Sequence, residues 1–207
     1  VLYRNRNQAL SLDSVLALTH GEKLGPAAFF SHLSPTNAIY TGVCRPTDGN
    51  SAFLGQIQYP LGSRSAHLSY LMPASAQESP DLPDLLDHLT CQAGEWGAFH
   101  LRAEVDEHSP MFEALRQVSF SLYAWQRIWQ YTQDSDRGRP EYSWQPPRSI
   151  DGIAVQSLYQ SVVPALIQSV ESLTSSHLHG LVYRREGELL AYADLVYGPR
   201  GIWVQPF

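Results

Sequence analysis

The stretch from Gly97 to Tyr131, GAFHLRAEVDEHSPMFEALRQVSFSLYAWQRIWQY, changes its hydrophobic period twice, and no other part of the sequence constrains the fold as much. From Ala98 to Glu107 the residues alternate. Phe99, Leu101, Ala103 and Val105 fall on one side, and His100, Arg102, Glu104 and Asp106 on the other. A period of two belongs to a half-buried strand. Ser109 is a suitable helix N-cap and Pro110 suits the first helical position. Met111, Leu115 and Val118 then share one helical face. From Ser121 the period returns to two, with Tyr123, Trp125, Trp129 and Tyr131 on one side. Strand, short helix, strand is the expectation.

Upstream, Val1–Asn5 is expected to form an edge strand. A helix capped by Ser11 should carry Leu12, Val15, Leu16 and Thr19, and a second from Pro26 should carry Ala27, Phe29, Phe30 and Leu33. Three short runs, Ala38–Arg45, Ala52–Tyr59 and Ala66–Met72, are separated by Asp48-Gly49-Asn50 and Pro60-Leu61-Gly62, the pattern of a β-meander. Pro80–Gly94 is the clearest helix, since Leu82, Leu85, Leu86, Leu89 and Ala93 recur at three and four residues. Each buried leucine contributes roughly 1.5–3 kcal/mol, so this helix should lie on the sheet.

Residues 132–149, TQDSDRGRPEYSWQPPRS, are polar, proline-rich and aperiodic, as linkers are. Beyond them Asp151 opens a helix with Ile153, Leu158, Tyr159, Val162 and Val163. Pro164 breaks it and starts another with Leu166, Ile167, Val170 and Leu173. Strands are expected at Gly180–Arg185, Leu189–Tyr197 and Ile202–Phe207. Helix, helix and three strands occur in both halves, and Tyr40–Arg45 parallels His179–Arg184, as a tandem duplication would leave. The expected division is a domain over 1–131, a linker over 132–149 and half of a second domain over 150–207.

Twenty acidic against 14 basic side chains give a net charge of −6. Such a surface repels a phosphate backbone, so no nucleic-acid partner is expected. No apolar run approaches the length of a membrane span, so no membrane partner is expected either. Cys44 and Cys91 are not closely spaced and suit free thiols in a reducing, cytoplasmic setting. The first residue is not Met and the last seven are GIWVQPF, from which we expect a piece of a longer chain.

The order strand, two helices, three strands, helix, strand, helix, strand resembles the Gcn5-related N-acetyltransferase (GNAT) fold. HLRAEVDEHSPMFEALRQVSFSLYAWQRIW is similar to that family's fifth strand, fourth helix and following strand, and RSIDGIAVQSLYQSVVPALI to its opening helices. The resemblance implies an α/β (α+β) fold with a mixed, mostly antiparallel central sheet flanked by helices, followed by a partial second unit. It also implies acyl transfer from acetyl-CoA to a small-molecule or peptide amine. The cofactor would lie in a splayed gap between the fourth and fifth strands, its arm paired with the backbone of Tyr70, Leu71 and Met72. Its diphosphate would rest on amides of a glycine-rich turn at the next helix N-terminus. Glu104 falls where some members hold a general base.

Departures from the pattern bear on activity. The phosphate turn falls at PASAQESPD, between Met72 and Leu82, with no glycine or arginine and with Glu78 and Asp81 of the wrong sign. The tyrosine that would protonate the leaving thiolate falls at Leu115. The family's Asn falls at Ser109 and its Gly at Ser119, while Ala114 and Phe120 keep the pattern. The first copy is therefore expected to be non-catalytic and no cofactor to bind this fragment; any acyl transfer would reside in the second copy and need residues past Phe207. The competing expectation is a binding or scaffolding domain that has lost acetyl-CoA, with a homodimer through a sheet edge as the candidate assembly. His177 and His179 have the spacing of two metal ligands but no third, and His100 and His108 lack partners, so no metal site is expected. Tyr123, Trp125, Trp129 and Tyr131 are candidates for a ligand cleft or an interface, weighed against ordinary sheet packing.

Overall fold

A computed structural model describes residues 9–21, 37–46, 51–60, 63–131, 143–171, 173 and 178–207. The expected strand Val1–Asn5, the expected helix from Pro26, most of the linker and His177 lie outside them. The fold is mixed α+β, and the chain forms two compact units, Val1–Ser121 with Gly198–Gly201, and Leu122–Tyr197 with Ile202–Phe207.

In the first unit the meander forms as expected: β2 (Asn37–Cys44), β3 (Phe53–Pro60) and β4 (Ser65–Met72) are antiparallel neighbours. In β3 and β4, Gln56 faces Tyr70 and Ile57 faces Leu68, which leaves Ser69 as the extra residue of a β-bulge. The helix α2 (Leu82–Glu95) buries Leu82, Leu85, Leu86, Leu89 and Ala93 against β2 and β3. Its seat is made by Gly42 and Gly55. A Cβ on Gly55 would stand 2.8 Å from Leu89 Cδ1, and one on Gly42 would stand 3.0 Å from Leu85 Cδ1.

The free edge of β4 has two partners. At its start β5 (His100–Arg102) pairs in parallel, Ser65 with His100 and His67 with Arg102. At its end β1 (Leu10–Ser11) pairs antiparallel, Leu10 with Leu71 and Ser11 with Tyr70. Of the expected strand Ala98–Glu107, only these three residues join the ladder. Past Arg102 the chain bonds Leu12 instead, Glu104 N–H donating to Leu12 O at 2.9 Å. The helix α1 (Ser14–His20) is capped by Asp13, whose side chain accepts from Leu16 N–H at 2.9 Å, not by Ser11, which belongs to β1. The helix α3 (Pro110–Gln117) starts at Ser109 and Pro110 as expected and buries Met111 and Leu115.

In the second unit Leu122–Tyr131 forms no strand, although its alternation predicts one. Trp125, Trp129 and Tyr131 are 66%, 83% and 71% exposed, so alternation has no buried face to match. The sheet runs β6 (Trp144–Gln145), β7 (Gly180–Arg185), β8 (Glu188–Gly198), β9 (Gly201–Pro206). The hairpin between β7 and β8 turns on Glu186 and Gly187, both with positive φ, 55° and 89°. That pair of left-handed residues matches the strand twist. The helices α4 (Asp151–Val162) and α5 (Ala165–Val170) break at Pro164 as expected. Their buried face differs from the expectation: Val155 enters the core with Val182 and Tyr192, whereas Ile153 is 83% exposed.

Candidate functional site

The first unit brings the expected site residues to one edge of its sheet. Tyr70, Leu71 and Met72 end β4 and are all buried. Leu71 faces the main core, while Tyr70 and Met72 pack with Leu54, Ala9 and Leu16 on the other face. Burial, with a contribution from Asp13, pushes the Tyr70 phenol up to about 12, so it stays protonated. The backbone edge beside these residues is taken by the chain itself. Leu10 and Ser11 pair with Leu71 and Tyr70, and Leu12 N–H donates to Ser69 O at 2.9 Å. Beneath this segment the Oγ of Ser69 is buried without a hydrogen-bond partner among the described residues.

Glu104 lies two residues beyond β5, where the chain has parted from β4. Its Oε2 accepts from the backbone N–H of Ser14 at 3.0 Å. Ser14 opens α1, so the carboxylate satisfies an N–H with no partner inside the helix. The group expected as a base is thus a structural anchor for the segment that follows Leu12.

The phosphate turn expected over Pro73–Asp81 is a 3-10 helix, Ala74–Glu78, followed by the start of α2. Four amides of this stretch are already bonded: Ala76 to Pro73 O, Ser79 to Ala76 O, Leu82 to Ser79 O, and Asp81 to Ser79 Oγ. Pro80 and Pro83 have none to offer. A cleft of about 260 Å³ opens between this turn and α3, lined by Gln77, Glu78, Glu113 and Gln117 among others and by no basic side chain. Gln77 Oε1 is buried there without a donor among the described residues. The cleft presents two carboxylates and no cation, so the diphosphate of acetyl-CoA would meet charge of its own sign there and fits it poorly. Leu115 is buried in the main core.

Sequence reasoning passed over His67. It lies on β4 across from Arg102, whose Nε is 2.8 Å from Nε2 and 3.1 Å from Nδ1. Burial first, and the guanidinium second, push this imidazole down to about 3, so it is neutral. No alternation rule marks a histidine whose partner comes from a parallel strand over thirty residues away. His100 and His108 are exposed; His108 has Glu107 at 3.6 Å. Burial raises the Cys44 thiol, and Asp81 and Asp84 add to it, which disfavours its thiolate.

In the second unit Tyr123 donates to Glu171 Oε1 at 2.6 Å, and Tyr159 to Glu171 O. Of the four aromatic candidates only Tyr123 is half-buried. Asp151, buried at the start of α4, pairs with Arg184 of β7 and accepts from Arg148 N–H at 2.6 Å. The hydrogen bond from Arg184 is the main cause holding its carboxyl below the usual range. His179 is exposed, and among the described residues no three metal-ligating side chains gather. No described helix is long and apolar enough to cross a membrane.

Comparison with known families, curated proteins and solved structures finds no match to this chain.

Proposed function

We propose that the first unit is a non-catalytic acyltransferase-like module of the GNAT type, which binds or scaffolds and does not transfer an acyl group. The observation that carries this reading is the use made of the two residues at the family's chemical positions. Glu104 caps a helix and Leu115 fills the core. Direct attack of an amine on a thioester needs a proton acceptor, a polarised carbonyl and an acid for the departing thiolate. With both positions committed to packing, the unit has neither acceptor nor acid there.

Support for the plan itself is topological. An antiparallel meander is followed by one parallel pairing, β4 with β5, and the helix between them lies on the sheet. Ser119, at the family's glycine position before Phe120, has φ 69°, a conformation that glycine adopts without strain. In the second unit, strand, two helices and three strands in the order β6, α4, α5, β7, β8, β9 follow the opening of the same plan.

Calorimetric titration of the chain with acetyl-CoA tests the proposal. No heat of binding is expected, and incubation with acetyl-CoA and a panel of primary amines should yield no acetylated product. A micromolar dissociation constant, or turnover abolished by Glu104→Gln, would overturn it.

A further inference from the structure

We infer that residues Leu10–Leu12 permanently fill the edge of β4 that an acyltransferase plan keeps for its cofactor arm, and that this occupancy, more than the acidity of the neighbouring turn, keeps acyl-CoA out. The inference rests on the reading above.

Two observations carry it. First, the hydrogen-bonding edge is occupied between Ser65 and Leu71 without a ligand. β5 covers Ser65–His67, β1 covers Tyr70 and Leu71, and Leu12 spans the place where the two chains part, donating to Ser69 O and accepting from Glu104 N–H, each at 2.9 Å. An amide-bearing arm entering there would exchange existing backbone bonds for equivalent ones, with no net gain. It would also compete with a segment already tethered in place, which gives up no translational freedom. Second, the segment is anchored at both ends of its path. Leu12 is buried in the main core, Leu10 packs against that core, and Glu104 and Asp13 hold the first turn of α1 directly behind it.

The acidity is the weaker barrier. Glu78 and Glu113 are exposed and Asp81 is half-buried, so water and salt reach all three and screen them over about 8 Å at physiological ionic strength. Removing their charge leaves the backbone edge as full as before.

The test uses the whole chain and two probes, acetyl-CoA and S-acetylpantetheine, which keeps the amide-bearing arm and lacks every phosphate. Both are titrated at millimolar concentration into wild type and into Glu78→Gln/Asp81→Asn/Glu113→Gln, with amide resonances of Tyr70, Leu71 and Met72 as the readout. No shift is expected with either probe on either protein. In ligand-free wild type, hydrogen exchange at the Leu12 and Glu104 amides should be slowed about 100-fold or more relative to an unprotected amide. Shifts at Tyr70–Met72 with S-acetylpantetheine, binding of acetyl-CoA to the neutralised variant alone, or unprotected exchange at Leu12 would each overturn the inference while leaving the non-catalytic reading intact. Acetyl-CoA binding to wild type would overturn both.

Discussion

Gly42 sits directly across from Gly55 in the β2–β3 ladder, and the bare patch they share is where Leu85 and Leu89 of α2 touch the sheet. Two opposed glycines weaken a strand pair on their own, since glycine packs nothing and loses more backbone freedom on folding. Their value lies in the close approach of the helix. Gly55→Val should therefore destabilise the first unit by about 1–3 kcal/mol through overpacking against Leu89, despite the better strand propensity of valine. The midpoint of denaturant unfolding measures this; an unchanged or higher midpoint would mean that α2 can retreat without loss.

Ser119 carries a side chain at φ 69°, where a Cβ meets the backbone. Ser119→Gly should raise stability by about 1 kcal/mol, part of the gain offset by the freer unfolded chain. A melting temperature equal to or below wild type would contradict this.

His67 links stability to acid. Its imidazole, near 6.5 in the unfolded chain, titrates only at about 3 when folded. Between those values the unfolded state holds a proton that the folded state refuses, so stability falls as pH falls and is fully retained above 6.5. At pH 4.5 the loss should reach about 3 kcal/mol. Asp151 in the second unit acts in the same direction, because a carboxyl with a depressed value stabilises above its unfolded value and stops doing so as it is protonated. Unfolding midpoints from pH 7 to 4.5, compared with those of His67→Gln, should show a flatter slope in the variant. Parallel slopes would rule out His67 as the source.

Asp151 is buried against Arg184, so removing its charge strands a guanidinium. Asp151→Asn should destabilise the second unit by about 3 kcal/mol. Arg184 remains about one-fifth exposed and has solvent to fall back on, which limits the effect. Exchange protection along β7 should fall with the substitution and recover partly in Asp151→Asn/Arg184→Met. No change in β7 protection would show the pair to be incidental.

Glu104 separates a structural role from a chemical one. Glu104→Ala removes the acceptor for Ser14 N–H and should cost about 1 kcal/mol, as a lost cap does. Glu104→Gln keeps an oxygen in place and should recover most of it. A loss in the Gln variant as large as that in the Ala variant would require a role that depends on the charge itself.

Much of the local structure was legible from hydrophobic spacing. The meander, the leucine face of α2, the Ser109–Pro110 start of α3 and the break at Pro164 all follow from periodicity and from what proline and capping residues permit. Those signals fail where a segment's partner is remote. The alternation over Ala98–Glu107 predicts ten residues of strand, yet only His100–Arg102 pair, because Leu12 intervenes from a distant part of the chain. The alternation over Ser121–Tyr131 marks aromatic residues that no sheet covers.

By itself the sequence determined which segments turn apolar faces to a core, and it put no glycine or arginine between Met72 and Leu82 and leucine, not tyrosine, at position 115. Only the tertiary structure decided that the edge of β4 is closed by the chain's own Leu10–Leu12, that Glu104 caps a helix, and that His67 faces Arg102. Periodicity is a local property read along the chain, whereas strand pairing and burial of a charge depend on which distant segment arrives at a given edge first and with better geometry.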